Sequence, residues 1–109
     1  MKLRELTRIL KAREYSIGNP EREIKGGYAG DFLSFVMSRA PSDCAWFTVM
    51  ANVNVCAVAT LADVGAIVLC DGVEPSEQLL EKAVEHKVNL IGTEANVFDA
   101  IRIYSAYAN

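Results

Sequence analysis

Residues 45–72, with the sequence AWFTVMANVNVCAVATLADVGAIVLCDG, decide the fold of this chain. The stretch contains two short apolar runs, Ala45–Ala51 and Ala66–Cys70. Unbroken apolar runs of this length are typical of strands that are covered on both faces, as in parallel sheets. The residues between them, Val53–Val64, are almost wholly apolar, and the alanines among them favour a helix. The stretch therefore predicts a strand, a buried helix and a second strand.

The segment that links the two strands has a second interpretation. A hairpin could turn at Asn52-Val53-Asn54. Alternatively, a helix begins there, with Asn52 or Asn54 as its N-cap, and ends near Asp63 and Gly65. Two parallel strands need a crossover of this length, so we favour the helix.

The C-terminal part of the chain continues the same alternation. A helix is predicted to begin at Pro75 or Ser76, and Val88–Gly92 forms a third core strand. Thr93 or Glu94 caps a last helix. The order βαβαβα predicts an α/β fold, specifically a three-layer sandwich with a mainly parallel core sheet and right-handed crossovers.

The N-terminal part contributes shorter elements. Apolar residues at helical spacing among the first residues predict an amphipathic helix of about three turns. Arg13–Ile17 and Glu21–Gly27 could each form a short edge strand, with a turn at Gly18-Asn19-Pro20 between them. Together they could add an edge hairpin to the core sheet.

A glycine-rich turn, GGYAGD at residues 26–31, leads into another predicted helix, which Pro41 ends. Asp31 is a suitable N-cap for that helix. A turn of this kind can cradle a phosphate on the free N–H groups of a helix N-terminus, but an acidic cap opposes an anion. The apolar face of the helix would comprise Phe32, Leu33, Val36, Met37 and Ala40.

The composition argues against several classes of protein. With 109 residues, of which 51% are hydrophobic, the chain has enough apolar residues for one folded domain spanning residues 1–109. The net charge of −3 gives no electrostatic reason to bind nucleic acid. No apolar run approaches the about 20 residues that span a bilayer, and the N-terminal MKLRELTRIL lacks the apolar segment of a signal peptide. We expect a cytoplasmic protein without a membrane or nucleic-acid partner.

The cysteines and the only histidine give no metal or redox motif. Cys44, Cys56 and Cys70 are odd in number and lack CxxC spacing, which argues against disulfides and zinc. Cys56 and Cys70 are expected in the core, whereas Cys44 could be exposed. His86 is expected to be a solvated residue near the end of its helix. We therefore predict no metal and no cofactor.

Polar or glycine residues follow the carboxyl end of each predicted core strand. We place these ends at Met50, Cys70 and Gly92. In open α/β sheets the binding crevice lies beyond the carboxyl ends of the strands. The predicted ligand-binding residues are Asn52, Asn54, Asp71, Gly72, Thr93 and Glu94, with Gly30 and Asp31 closing one side. The alternative is that they serve only as caps and turn residues.

Three stretches together resemble a stand-alone DRTGG domain. They are GYAGDFLSFVMSRA at residues 27–40, WFTV followed by NVNVCAVATLADVGAIVLCDG and EP at residues 46–75, and NLIGTEANVFDAIRIY at residues 89–104. The resemblance covers nearly the whole chain from Ile24 onward. Such domains occur attached to CBS domains, in phosphotransacetylases and near the kinase that phosphorylates the phosphocarrier HPr. The resemblance implies a regulatory domain.

The chain departs from the motif that names this family. Asp43 stands at the aspartate position, but Cys44 follows it where the family has arginine. The TGG stretch corresponds to Cys70-Asp71-Gly72. Any ligand role tied to the missing arginine or threonine is therefore not implied for this chain.

A fainter similarity links the chain to the N-terminal domain of Mur ligases, which holds a uridine nucleotide. It rests on Pro41–Asp43, the aromatic strand that follows and the junction Val64–Ala66. The same type of domain stands at the N-terminus of HPr kinases. Kinase activity is not implied, because the chain contains no GxxxxGK[ST] loop to hold ATP phosphates.

These observations predict a non-catalytic regulatory or ligand-sensing domain. It would act through a small ligand, such as a nucleotide or phosphorylated metabolite, or through a regulated enzyme partner; the alternative is a nucleotide-binding protein of the Mur type. An enzyme would need a nucleophile with a base or paired carboxylates, and Asp71 and Glu94 have no evident partner. A homodimer is expected from the aromatic residues of the peripheral helices, namely Phe32, Phe35, Phe98, Tyr104 and Tyr107.

Overall fold

The computed structural model describes residues 1–108, which form five helices and five strands. In chain order these are α1 (Leu3–Ile9), β1 (Arg13–Ser16), β2 (Gly27–Ala29), α2 (Leu33–Arg39), β3 (Ala45–Thr48), α3 (Asn54–Ala62), β4 (Ala66–Leu69), α4 (Glu77–Glu85), β5 (Leu90–Gly92) and α5 (Val97–Tyr107). The predicted βαβαβα order from Ala45 onward is confirmed.

The five strands form one sheet in the order β1-β5-β4-β3-β2. Strands β2 to β5 are mutually parallel, and β1 pairs with β5 in the antiparallel sense. In the register of the core, Trp46 lies beside Ile67 and Ile67 beside Leu90. The sheet is therefore mainly parallel, as predicted, with one antiparallel edge strand.

The segment between β3 and β4 is a helix and not a hairpin. The side-chain oxygen of Asn52 accepts a hydrogen bond from the backbone N–H of Asn54 at 2.9 Å, which occupies one of the free donors at the start of α3. Val53 is the residue at the N-cap position and makes no side-chain cap bond. The helix ends at Asp63, whose φ of 55° lies in the left-handed region typical of helix ends.

Each core strand is buried on both faces, which explains why its sequence does not alternate with polar residues. Trp46, Ile67 and Leu90 belong to one apolar cluster, which also contains buried residues of α2, α3 and α4. Phe47 and Ile91 belong to a second cluster, with buried residues of α1 and α5. The core strands thus contribute side chains to two separate apolar clusters.

The predicted edge hairpin is wrong. Strands β1 and β2 lie at opposite edges of the sheet, and the second strand is Gly27–Ala29 instead of Glu21–Gly27. The backbone N–H groups of Gly18 and Asn19 bind the side-chain oxygen of Asn89, so this part of the chain turns away from β1. The alternation around Ile24 reflects the burial of that one side chain, which is 2% exposed.

Several residues predicted to lie on buried helical faces are exposed. On α2 only Val36 is fully buried, whereas Phe32 and Met37 are 63% and 49% exposed. Large apolar residues on two other helices are exposed as well, namely Phe98 on α5 (75%) and Val84 on α4 (59%). Helix α1 is also shorter than predicted, with seven residues. These peripheral helices contact the sheet with one narrow face, so their flanks are left open.

Candidate functional site

The loops that follow β3, β4 and β5 meet where these parallel strands end, as the parallel topology requires. This end of the sheet is the carboxyl edge. The backbone N–H of Gly72 donates to the carbonyl of Thr93 at 2.9 Å, and that of Asp71 donates to the carbonyl of Ala95 at 2.8 Å. The N–H of Ser76 donates to the carbonyl of Ala51 at 2.9 Å. The same bonds close the edge, because they bind the loops to one another.

The cavity that remains at this edge has a volume of about 50 Å³. A cavity of this size has room for a water molecule or two, whereas sites for nucleotide-sized ligands have volumes of about 300 Å³ or more. The residues that line it are Arg13, Tyr15, Gly72, Val73, Glu74, Gly92, Thr93 and Glu94. Asn52 and Asn54 are not among them.

The predicted role of Thr93 or Glu94 as the cap of the last helix is wrong. Asn96 caps α5, because its side-chain oxygen accepts from the N–H of Asp99 at 2.8 Å. The hydroxyl of Thr93 is buried and donates to the carbonyl of Leu10 at 3.0 Å. Thr93 therefore fastens the loop after β5 to the end of α1.

Asp31 and Gly30 fasten the end of β3. The Asp31 oxygen Oδ1 accepts from the Thr48 hydroxyl at 2.7 Å and from the Val49 N–H at 3.0 Å. The carbonyl of Gly30 accepts from the Trp46 indole N–H at 2.9 Å. The prediction that Asp31 caps α2 is therefore wrong, since its carboxylate is engaged by the neighbouring strand and the N-cap position is Phe32.

The exposed charges at this edge are mostly negative. Asp31, Asp71, Glu74 and Glu94 are exposed carboxylates that follow β2, β4 or β5. The guanidinium of Arg13 lies 3.4 Å from the Glu74 carboxylate and is paired with it. An acidic edge disfavours phosphate by like-charge repulsion. Within residues 1–108 there is also no group of three or more His, Cys, Asp or Glu residues that could hold a metal ion.

A larger groove, of about 500 Å³, lies between α3 and α4. Its volume falls within the range of about 300–1,000 Å³ that is typical of small-molecule sites. The groove is lined by Val53, Asn54, Cys56, Ala57, Thr60, Leu61, Lys82 and His86. Asn54 is the only predicted ligand-binding residue among them.

The groove combines apolar walls with a few polar groups. Leu61 is 73% exposed although it belongs to a helix that is apolar on nearly every side. Lys82 on α4 and His86, the C-cap residue one turn further on, both line the groove. The Lys82 ammonium also lies 3.2 Å from the Glu85 carboxylate. Sequence reasoning missed this groove, and the signal that could have indicated it is the apolar outer side of α3.

A compact ionic cluster lies at the other end of the sheet, where the parallel strands begin. The Arg22 guanidinium lies 2.9 Å from the Asp43 carboxylate and 3.1 Å from that of Asp63. The Ser42 hydroxyl donates to Asp63 at 3.1 Å. Asp43 therefore has an arginine partner, although Cys44 occupies the position next to it.

The three cysteines are buried thiols, so the prediction that Cys44 could be exposed is wrong. Burial raises the pKa of both Cys44 and Cys70 to about 11. Burial also raises the pKa of Cys56, which lines the groove. Thiolates are the reactive form of cysteine, so all three side chains remain unreactive at neutral pH.

No protein-family model and no curated protein matches this chain. A solved structure does match it, namely the CBS and DRTGG domains of the regulatory region of Clostridium perfringens pyrophosphatase, complexed with the activator diadenosine tetraphosphate. The TM-score is 0.78 at 16% sequence identity. The two chains share a fold. The match covers 94% of this chain and 45% of the pyrophosphatase chain, so this chain spans about half of that region.

The shared fold agrees with the α/β fold predicted from the sequence. The matched structure is described as part of the regulatory region of that pyrophosphatase. None of the helices within residues 1–108 is long and apolar enough to cross a bilayer.

Proposed function

We propose that this chain is a non-catalytic, ligand-sensing regulatory domain that binds a nucleotide or phosphorylated metabolite in the groove between α3 and α4. The observation that carries the proposal is the groove itself, which has about 500 Å³ of space, apolar walls and two basic side chains. Largely apolar pockets with a few convergent polar groups are the usual form of small-molecule sites.

The lining of the groove matches the two halves of a nucleotide. Ala57 and Leu61 offer an exposed apolar wall for a base. Lys82 and His86 offer nitrogen donors for phosphate oxygens, and a lysine can bind phosphate as a point charge. The Asn54 amide can donate to or accept from a base or ribose. This division of roles favours an anionic ligand with a flat apolar part.

The structural neighbour supports the same class of ligand. Its regulatory region is complexed with an activator that is a nucleotide, diadenosine tetraphosphate. Regulation by a nucleotide is a property of that protein, and we extend only the class of ligand to this chain. The proposal also includes a regulated enzyme partner, a cytoplasmic location and a three-layer arrangement of the helices about the sheet.

In this proposal, the residues predicted to bind a ligand at the carboxyl edge are not its main contacts. Asn52, Asp71 and Glu94 are exposed near the edge, and none of them lines the groove. Gly72 and Thr93 contribute to the backbone bonds that hold the edge closed. We therefore assign ligand contact first to Asn54, Lys82 and His86.

The second candidate is a nucleotide-binding protein of the Mur ligase N-terminal type, related also to the N-terminal domain of HPr kinase. The groove favours it as well, because a uridine nucleotide has the same combination of base and phosphate. The two candidates differ in what binding does. A sensor releases its nucleotide as the concentration falls, whereas a tightly bound nucleotide that survives purification indicates the second candidate.

Lys82→Ala is expected to weaken the binding of ATP by about tenfold or more, because hydrogen bonds to charged groups contribute about 1.5–3 kcal/mol. Lys82 is an exposed residue of α4, so the melting temperature should change little. Isothermal titration calorimetry with ATP measures the dissociation constant.

Lys25→Ala is the matched control, since Lys25 is exposed and does not line the groove. Equal losses of affinity in the two variants would show that only net charge matters and would remove the groove as the site.

A further inference from the structure

The outer side of β2 is an open lateral edge of the sheet, which runs alongside the strand and differs from the carboxyl edge. The carbonyl of Gly26 accepts from Ala45 in β3, and the N–H of Gly30 donates to Phe47 in β3. In a parallel strand, alternate residues direct both backbone groups to the same side. Tyr28 therefore bonds toward β3, and the N–H and C=O groups of Gly27 and Ala29 point away from the sheet. No other strand within residues 1–108 pairs with this side of β2.

The two edges of the sheet differ in how they are protected. Natural proteins protect exposed edges with charged residues, prolines or bulges. Strand β1, at the other edge, carries the exposed charges of Arg13 and Glu14 and has an irregular register after Glu14. Strand β2 has the sequence Gly-Tyr-Ala and carries no charge, proline or bulge; its shortness, at three residues, is its one protective feature. Its edge is therefore free to pair with another strand.

Exposed aromatic residues lie on the elements that flank this edge. The rings of Phe32 and Phe35 on α2 make an edge-to-face contact at 4.8 Å, and the Arg39 guanidinium lies 3.9 Å from the Phe35 ring. Helix α2 directly follows β2 and packs in the same cluster as Tyr28. Phe32 and Phe35 are 63% and 42% exposed.

The other face of β2 lies beside a cleft of about 430 Å³. Phe47, Ile101 and Tyr104 line it together with Gly27, whose missing side chain leaves the cleft open. Tyr107, on the same helix as Ile101, is 61% exposed. An aromatic side chain has about 200 Å² of surface. Phe32, Phe35 and Tyr107 thus leave roughly 300 Å² uncovered, a large part of the about 800 Å² that each partner contributes to a standard interface.

We propose that two copies of this chain pair through β2, in antiparallel orientation, about a twofold axis at Tyr28. The outward groups lie on the residues on either side of Tyr28. Antiparallel pairing about Tyr28 therefore places Gly27 of one copy opposite Ala29 of the other, and each N–H meets a C=O. The edge is thus complementary to itself, as a twofold interface requires.

A second copy fits this surface better than an unrelated peptide does. The sheets of the two copies would become one continuous sheet, and the aromatic residues beside β2 would be covered from both sides of the axis. This inference gives the homodimer expected from the sequence a specific interface. It does not depend on the nucleotide proposed above, because neither Gly27 nor Ala29 lines the groove between α3 and α4.

Ala29→Pro is the test, because proline removes the outward N–H and is tolerated on edge strands. Sedimentation velocity at tens of micromolar protein should show a dimer for the parent chain. Ala29→Pro should be a monomer at the same concentration, with the dimer dissociation constant raised at least a hundredfold. Ala29→Ser retains the N–H and should remain a dimer. A monomeric parent chain, or an Ala29→Pro variant that dimerises as the parent does, would overturn the proposal.

Hydrogen exchange of the parent chain gives a second test that requires no variant. The amides of Gly27 and Ala29 should exchange at least tenfold more slowly at high than at low protein concentration. The amide of Tyr28, which bonds within the sheet, should be protected at both concentrations. Exchange at Gly27 and Ala29 that is independent of concentration in a dimeric sample would place the interface elsewhere. Neither result would alter the ATP affinity, which tests the nucleotide site separately.

Discussion

Asn89→Ala is expected to lower the free energy of unfolding by about 3 kcal/mol or more, because each buried polar group left without a partner costs about 1–3 kcal/mol. Asn89 is 5% exposed. Its side-chain oxygen accepts from the N–H groups of Gly18 at 2.8 Å and Asn19 at 3.0 Å. Its side-chain nitrogen donates to the carbonyl of Gly65 at 3.0 Å. One side chain thus joins three segments of the chain.

Urea denaturation measures this effect, and Asn96→Ala supplies the matched control. Asn96 is an exposed cap residue with one side-chain bond to the helix start, so its loss should cost about 1 kcal/mol. If the two variants were equally stable, the side chain of Asn89 would not be the junction that the structure shows.

Val58→Asp is expected to destabilise the chain by about 4 kcal/mol or more, or to prevent folding, because it buries a carboxylate without a partner. Val58 is 8% exposed and belongs to the apolar cluster under α3. Ala57 is the next residue of the same helix and is exposed. Ala57→Asp is therefore the matched control and should lower the stability by less than about 1 kcal/mol.

Thermal unfolding followed by circular dichroism distinguishes the two variants. A Val58→Asp melting temperature within a few degrees of the parent's would mean that α3 does not pack against the sheet at this position. A large loss in Ala57→Asp would mean instead that the outer side of α3 is covered in the folded protein.

The core of the fold was predictable because burial on both faces leaves a direct trace in the sequence. The short apolar runs at Ala45–Ala51, which is interrupted by Thr48, and at Ala66–Cys70 are typical of covered strands, and parallel pairing of these strands requires a crossover such as the helix between them. Strand β2 has no such apolar pattern in its sequence. Its three residues include one glycine, and Gly27–Ala29 is a strand because β3 provides an edge with which it pairs.

The sequence accounts for where the predicted site residues lie in the fold, whereas their role in binding a ligand stays a prediction. Parallel strands had to bring Asp71, Gly72 and Thr93 to one edge of the sheet. The sequence could not indicate that backbone bonds from Gly72 to Thr93 close this edge, since such bonds depend on loop geometry and not on residue type. The groove depends on how α3 and α4 lie beside each other, and it brings Asn54 close to Lys82 across sequence positions that no motif connects.

The exposed residues of the peripheral helices show a similar limit of prediction from sequence. Helical spacing correctly places Val36 on the buried face of α2, but it also assigns Phe32 to that face. Phe32 is nevertheless exposed in the structure. A hydrophobic pattern marks apolar residues but does not show which of them the rest of the chain covers.

The most direct test of the central proposal is amide NMR of the parent chain during titration with ATP. The proposal predicts saturable chemical-shift changes at residues that line the groove, centred on Asn54, Thr60, Lys82 and His86, with smaller changes toward Asn52 and Asp71. Saturable changes confined to the opposite edge, at Ser42, Gly65 and Val88, would contradict the assigned site. No change with ATP, uridine nucleotides or diadenosine tetraphosphate at millimolar concentration would contradict nucleotide sensing itself.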